Sequence, residues 1–175
     1  MPAMQQPRTP ETDVARWLVV MGVSGCGKSS LGAALARELA LPLIEGDDFH
    51  APESVRKMRA GIALTDADRA GWLDRLGREL AGHEAGAVLT CSALKREYRE
   101  RLRAAQPGLR FVFMALPCEE AERRVAERAA VHMFPASLVA NQFATLESPV
   151  GEPGVLAVDA TAPIPQLVAQ VRAWI

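Results

Sequence analysis

Five short apolar runs along the chain are separated by stretches with the periodicity of amphipathic helices. Leu18–Met21 is the first; Leu43-Ile44, Ala87–Cys91, Phe111–Leu116 and Val155–Val158 follow. They are short and lack a regular polar alternation, the pattern of strands buried on both faces of a parallel sheet. After the first run, Leu31, Leu35 and Leu39 recur every four residues and give a helix one apolar face. Trp72, Leu73, Leu76 and Leu80 form a second stripe, opened by Thr65 and Asp68 at capping-box spacing. Pro52 opens a shorter helix that Gly61 ends. Lys95–Ala105, Cys118–Ala130, Ser137–Leu146 and Pro163–Trp174 read as further helices, with His132-Met133-Phe134-Pro135 as a break. Strands alternating with helices predict one α/β domain, a parallel sheet covered on both faces, over residues 15–175. Residues 1–14 read as a polar, Pro-rich tail.

Between the first strand and its helix stand Gly22, Val23, Ser24, Gly25, Cys26, Gly27, Lys28 and Ser29, followed by Ser30. This is G-x-x-x-x-G-K-[ST], the phosphate-binding loop, in the strand–helix setting it requires. Glycines let the backbone approach a phosphate, and the loop's N–H groups and the helix dipole face the anion. Lys28 reaches the β- and γ-phosphates, and Ser29 offers a hydroxyl to Mg²⁺.

Composition narrows the partners. At 175 residues and 49% hydrophobic content, the chain can bury one sizeable core. A net charge of −1 gives no electrostatic reason to bind nucleic acid or an anionic membrane. Apolar runs fall well short of the ~20 residues of a spanning helix. Cys26, Cys91 and Cys118 are far apart and odd in number, which predicts free thiols in a reducing, cytoplasmic compartment.

At the end of the second strand, apolar residues turn abruptly into Glu45-Gly46-Asp47-Asp48-Phe49-His50. Ligands bind at that edge of an open α/β sheet. Asp47 is placed to orient an acceptor hydroxyl or accept its proton, and Glu45 lies on the same side of an extended chain. His50 is a candidate contact to the acceptor. The third strand carries no acid and the chain has no Asn-Lys-x-Asp stretch, so a GTP-dependent switch lacks its landmarks.

Several blocks together resemble gluconokinase of the small P-loop type, a branch of the shikimate-kinase/adenylate-kinase-like fold. They are the phosphate loop, Glu45-x-Asp47, Lys57-Met58-x-x-Gly61 through Asp66-x-Asp68-Arg69-x-x-Trp72-Leu73, Cys91-Ser92-Ala93-Leu94-Lys95-x-x-Tyr98-Arg99, and Gln142-Phe143-x-Thr145-Leu146-Glu147. The resemblance runs from Trp17 to the C-terminus. It implies phosphorylation of D-gluconate by ATP with Mg²⁺, a sheet of order 2-3-1-4-5 with a small lid, and a homodimer. Asp47 takes the catalytic role, beside Lys28, and Glu45 with Ser29 the metal.

For the carboxylate of gluconate, Lys95 and Arg99 stand four apart on one helix face at the ligand edge, with Arg59 as a further candidate. Arg128, just before the helix break, is expected to act as the lid arginine, with Arg124 one turn earlier also on the nucleotide. The base is expected beside Asp159–Pro163. The alternatives are another small-acceptor kinase, directed at shikimate or a nucleotide, and a binding switch without turnover.

Overall fold

The computed structural model describes residues 16–128 and 135–175. The tail expected at 1–14 and the helix break at His132-Met133-Phe134 lie outside the described residues. Five parallel strands form one sheet: β1 (Trp17–Met21), β2 (Leu43–Glu45), β3 (Ala87–Thr90), β4 (Arg110–Ala115) and β5 (Val155–Asp159), in the order β2-β3-β1-β4-β5. That is the order the resemblance implies. Central β1 is sealed from water from Leu18 to Met21, as an unbroken apolar run requires.

The helices follow the sequence stripes with trimmed ends: α1 (Lys28–Leu39), α2 (Pro52–Arg59), α3 (Asp66–Gly82), α4 (Arg96–Ala105), α5 (Cys118–Glu127), α6 (Val139–Thr145) and α7 (Ile164–Trp174). Thr65 caps α3 with a complete capping box: its hydroxyl accepts from Asp68 N–H and the Asp68 carboxylate accepts from Thr65 N–H. Those bonds, with the backbone bond foremost and Lys57 adding its ammonium, hold the Asp68 pKa down at about 2. Among the described residues no helix is long and apolar enough to cross a membrane.

After β2 the backbone makes a 3-10 turn, Gly46–Phe49. Gly46 lies so close to β3 that an added Cβ would sit 2.1 Å from the Thr90 carbonyl oxygen. From the other side α3 grips the turn, Trp72 Nε1–H donating to Gly46 O at 2.7 Å and Arg75 Nε–H to Phe49 O at 3.0 Å.

On the far side of β3, Arg99 is fully buried. Its guanidinium forks onto Glu152 (Nε to Oε1 3.1 Å, Nη2 to Oε2 2.6 Å) and donates to the carbonyls of Ala93, Leu94 and Glu147. Arg103 reaches the same carboxylate at 3.1 Å. Burial opposes ionisation of Glu152, but the hydrogen bonds from Arg99 and Arg103 outweigh it and keep its pKa below 4.5. The network ties α4 to the segment that returns from α6 to β5.

Glu152→Gln leaves the Arg99 charge short of its counter-ion, so urea unfolding should show a loss of about 3–5 kcal/mol, the cost of breaking a buried pair. Since the folded pKa of Glu152 is depressed, the difference between wild type and variant should hold at neutral pH. It should shrink as pH falls below 4.5, the ordinary carboxyl value, toward the lower folded pKa.

Candidate active site

A cleft opens at the C-terminal edge of the sheet, where β1 and β2 end and α6 closes over them. Its donor wall is the phosphate loop: Ser24, Gly25, Gly27, Lys28, Ser29 and Ser30 line it. Gly22 meets the loop's tightest geometry, with φ +148° and room for no Cβ between Cys26 Sγ at 2.9 Å and Met114 O at 3.0 Å. Lys28 folds back over the loop, Nζ donating to Gly22 O and Val23 O at 3.0 Å each. Val23 and Cys26 are buried and do not line the cleft. Ser29 Oγ donates to Glu45 Oε2 at 3.0 Å, and Thr90 Oγ1 donates to the same oxygen at 2.6 Å. A hydroxyl and a carboxylate beside a triphosphate loop are the hard oxygen donors that Mg²⁺ takes, so these residues fit that ion.

The acceptor wall is built by the turn after β2 and by α3. Asp47 and His50 line it together with Met58, Leu64, Arg69, Trp72 and Ser92. His50 stacks on Trp72 with ring centroids 4.2 Å apart and an interplanar angle of 17°. Its Nε2 lies 3.6 Å from Asp47 Oδ1, while its Nδ1 is buried without a hydrogen-bond partner.

Arg69 is the cation of this wall, and its side of α3 is buried, 8% exposed. Its guanidinium donates to Tyr98 Oη at 3.1 Å, and among the described residues no carboxylate pairs with it directly. Tyr98 in turn donates a very short hydrogen bond to Asp66. Lys95 Nζ sits on both oxygens of Asp66, at 3.0 and 3.2 Å. Hydrogen bonds from Tyr98 and Lys95 lower the Asp66 pKa, and the bond to Asp66 raises that of Lys95.

The structure sets three expected carboxylate ligands apart from the cleft lining. Arg99 is buried behind the cleft and saturated by Glu152 and three carbonyls. Lys95 is paired with Asp66 and lies outside the cleft lining. Arg59 is exposed at the end of α2, also outside the lining. Arg69 was not among the candidates, although one signal could have found it. Positions 69, 72, 73 and 76 share a helical stripe, so Arg69 is a charge on an otherwise apolar face.

The remaining arginines divide. Arg128 caps the end of α5 and lines the cleft. Arg124 lies behind the loop, donating to Gly25 O, Cys26 O and Ala160 O at 3.3–3.4 Å and pairing with Glu120 at 3.0 Å. It bridges the phosphate loop to the Asp159–Pro163 segment but does not line the cleft.

A family model described as an AAA domain matches residues 18–152. A gluconokinase from Gluconobacter oxydans is 48% identical over 82% of each chain. The thermosensitive gluconokinase of Escherichia coli is 35% identical, over 88% of this chain and 84% of its own. The crystal structure of a gluconokinase from Sinorhizobium meliloti superposes with a TM-score of 0.83 at 46% identity, covering 91% and 90% of the two chains.

A buried guanidinium without a carboxylate does not add to folding stability. Arg69→Met should leave urea-unfolding stability unchanged or raise it by up to about 2 kcal/mol, as such replacements do. A loss of that size instead would make Arg69 a structural residue.

Proposed function

The chain belongs to the gluconokinase family and transfers a phosphoryl group from ATP to D-gluconate, and we propose that Arg69 meets the acceptor's carboxylate. The observation that carries this reading is the buried guanidinium facing the cleft, which pairs with no carboxylate among the described residues. Burying such a charge is costly unless an anion pairs with it, and a planar fork suits a carboxylate. Ser92 then offers a hydrogen bond to the polyol, and Trp72 holds His50 in place on the same wall.

In the proposed reaction an acceptor hydroxyl attacks the γ-phosphorus, the bond from that phosphorus to the β,γ-bridging oxygen breaks, and ADP leaves. Asp47 orients the hydroxyl and takes its proton. Lys28, swinging from the loop carbonyls onto the β- and γ-phosphates, and Arg128, from the end of α5, meet the charge of the transferring group. Ser24, Gly25, Gly27 and Ser30 cradle the phosphates through backbone and hydroxyl groups, with Gly22, Val23 and Cys26 shaping the loop. Ser29 and Glu45 would hold Mg²⁺, which supplies charge neutralisation at the phosphates. Arg124 supports the loop and borders the region of the base rather than gripping phosphate. A homodimer in the cytoplasm is proposed on the family resemblance, and sedimentation tests the assembly.

ADP release coupled to an indicator, compared across gluconate, shikimate, AMP and sorbitol, tests the reading: only gluconate should stimulate it strongly. Arg69→Met should cut kcat/KM for gluconate by about 10²–10⁴ and close most of its gap to sorbitol, because a site built on a polar contact rejects analogues lacking it. The KM for ATP should stay nearly fixed. Asp47→Asn should lower kcat by about 10²–10⁴, the range for a proton-transfer group, with ATP affinity by calorimetry little changed. A collapse of ATP affinity with kcat intact would move Asp47 to the nucleotide side.

A further inference from the structure

α6 sends one side chain into the phosphate loop. Gln142 is 7% exposed, and its Oε1 accepts the Ser24 backbone N–H at 2.6 Å, across 118 residues of sequence. A backbone N–H can only donate, so the amide has one possible orientation: carbonyl toward Ser24, NH2 turned away. Gln142 also lines the cleft, beside Ser24, Lys28 and Arg128. The two N–H bonds of its amide have no acceptor among the described residues, yet Nε2 is not one of the sealed orphan atoms there. The donor is therefore open to the cleft.

Its place is informative. Gly22 N–H donates to Ser92 O at 3.3 Å, so the first half of the phosphate loop adjoins the acceptor wall. Ser24 is two residues on, and Gln142 stands on it at the junction of the two walls. Resting on the kinase reading of the cleft, we propose that Gln142 is a further catalytic residue. Ser24 N–H fixes its carbonyl, and its amide NH2 donates to an oxygen of the phosphoryl group in transfer. The donor is neutral, rigidly held and partly desolvated, so it needs no reorganisation as charge shifts in the transition state. The competing explanation is a staple: the amide merely fastens α6 to the loop through its carbonyl.

Two variants separate these roles. Gln142→Glu keeps an oxygen for Ser24 N–H but removes the donor, whereas Gln142→Leu removes both. Both should lose about 10²-fold in kcat, the usual effect of deleting one preorganised donor. In Gln142→Leu, ADP affinity and the KM for gluconate should stay within about threefold, since the contact forms only in transfer. Calorimetry supplies a readout other than turnover. Aluminium fluoride added with ADP and gluconate mimics the phosphoryl group, and its binding should weaken in Gln142→Leu in proportion to kcat. Wild-type kcat in either variant overturns the proposal, as does a Gln142→Leu variant that loses ADP affinity as much as kcat. Failure of the kinase reading itself would look different: the wild-type protein would release no ADP with gluconate.

Discussion

Gly46 touches the backbone of β3 so closely that no side chain fits between them. The acceptor half of the cleft depends on that contact. It sets the height of the turn after β2, and α3 then locks the turn from outside through Trp72 and Arg75. Asp47 and His50 inherit their positions from these two constraints. Trp72 also carries the stack under His50, so one indole fixes the backbone and the ring that face the acceptor. On the donor side the equivalent constraint is Gly22, wedged between Cys26 and the carbonyl of Met114. The two walls therefore hang from the same sheet edge, and their spacing is set by strands rather than by mobile side chains.

Two buried arginines show how electrostatics divides structure from function. Arg99 and Arg69 are both on the inner faces of helices and both nearly or wholly sealed from water. Arg99 has a forked partner in Glu152 and three carbonyls, so its charge is compensated within the fold. Arg69 has a phenol, Tyr98, whose own hydrogen goes to Asp66. Lys95 is spent on that same Asp66. The result is a second guanidinium oriented by neutral contact and left able to take an external anion. A protein tolerates that cost where binding returns it.

Much of this was legible in the sequence, and the exceptions have physical causes. Strand order, helix stripes and the phosphate loop depend on local patterns, and the capping box at Thr65 came out as its spacing predicts. Lys28, Asp47 and Ser29 could be placed because each lies within a few residues of a strand end. The anion site could not, because Arg99 and Arg69 look alike along the chain. What separates them is Glu152, 53 residues beyond Arg99 and brought to it only by the return from α6 to β5. Gln142 escaped for the same reason, its partner Ser24 being far away in sequence. The burial of Arg69 was readable from the stripe it interrupts; its lack of a carboxylate partner among the described residues was not.

The central claim is that the acceptor's carboxylate pairs with Arg69, and diffraction from crystals of the protein with ADP and gluconate tests it most directly. The account predicts both carboxylate oxygens within about 3 Å of the Arg69 guanidinium, the spacing of a charge-assisted pair, with Lys95 still on Asp66 and Arg99 still on Glu152. A gluconate carboxylate resting on Lys95 or Arg59, with Arg69 left as it stands against Tyr98, would contradict it.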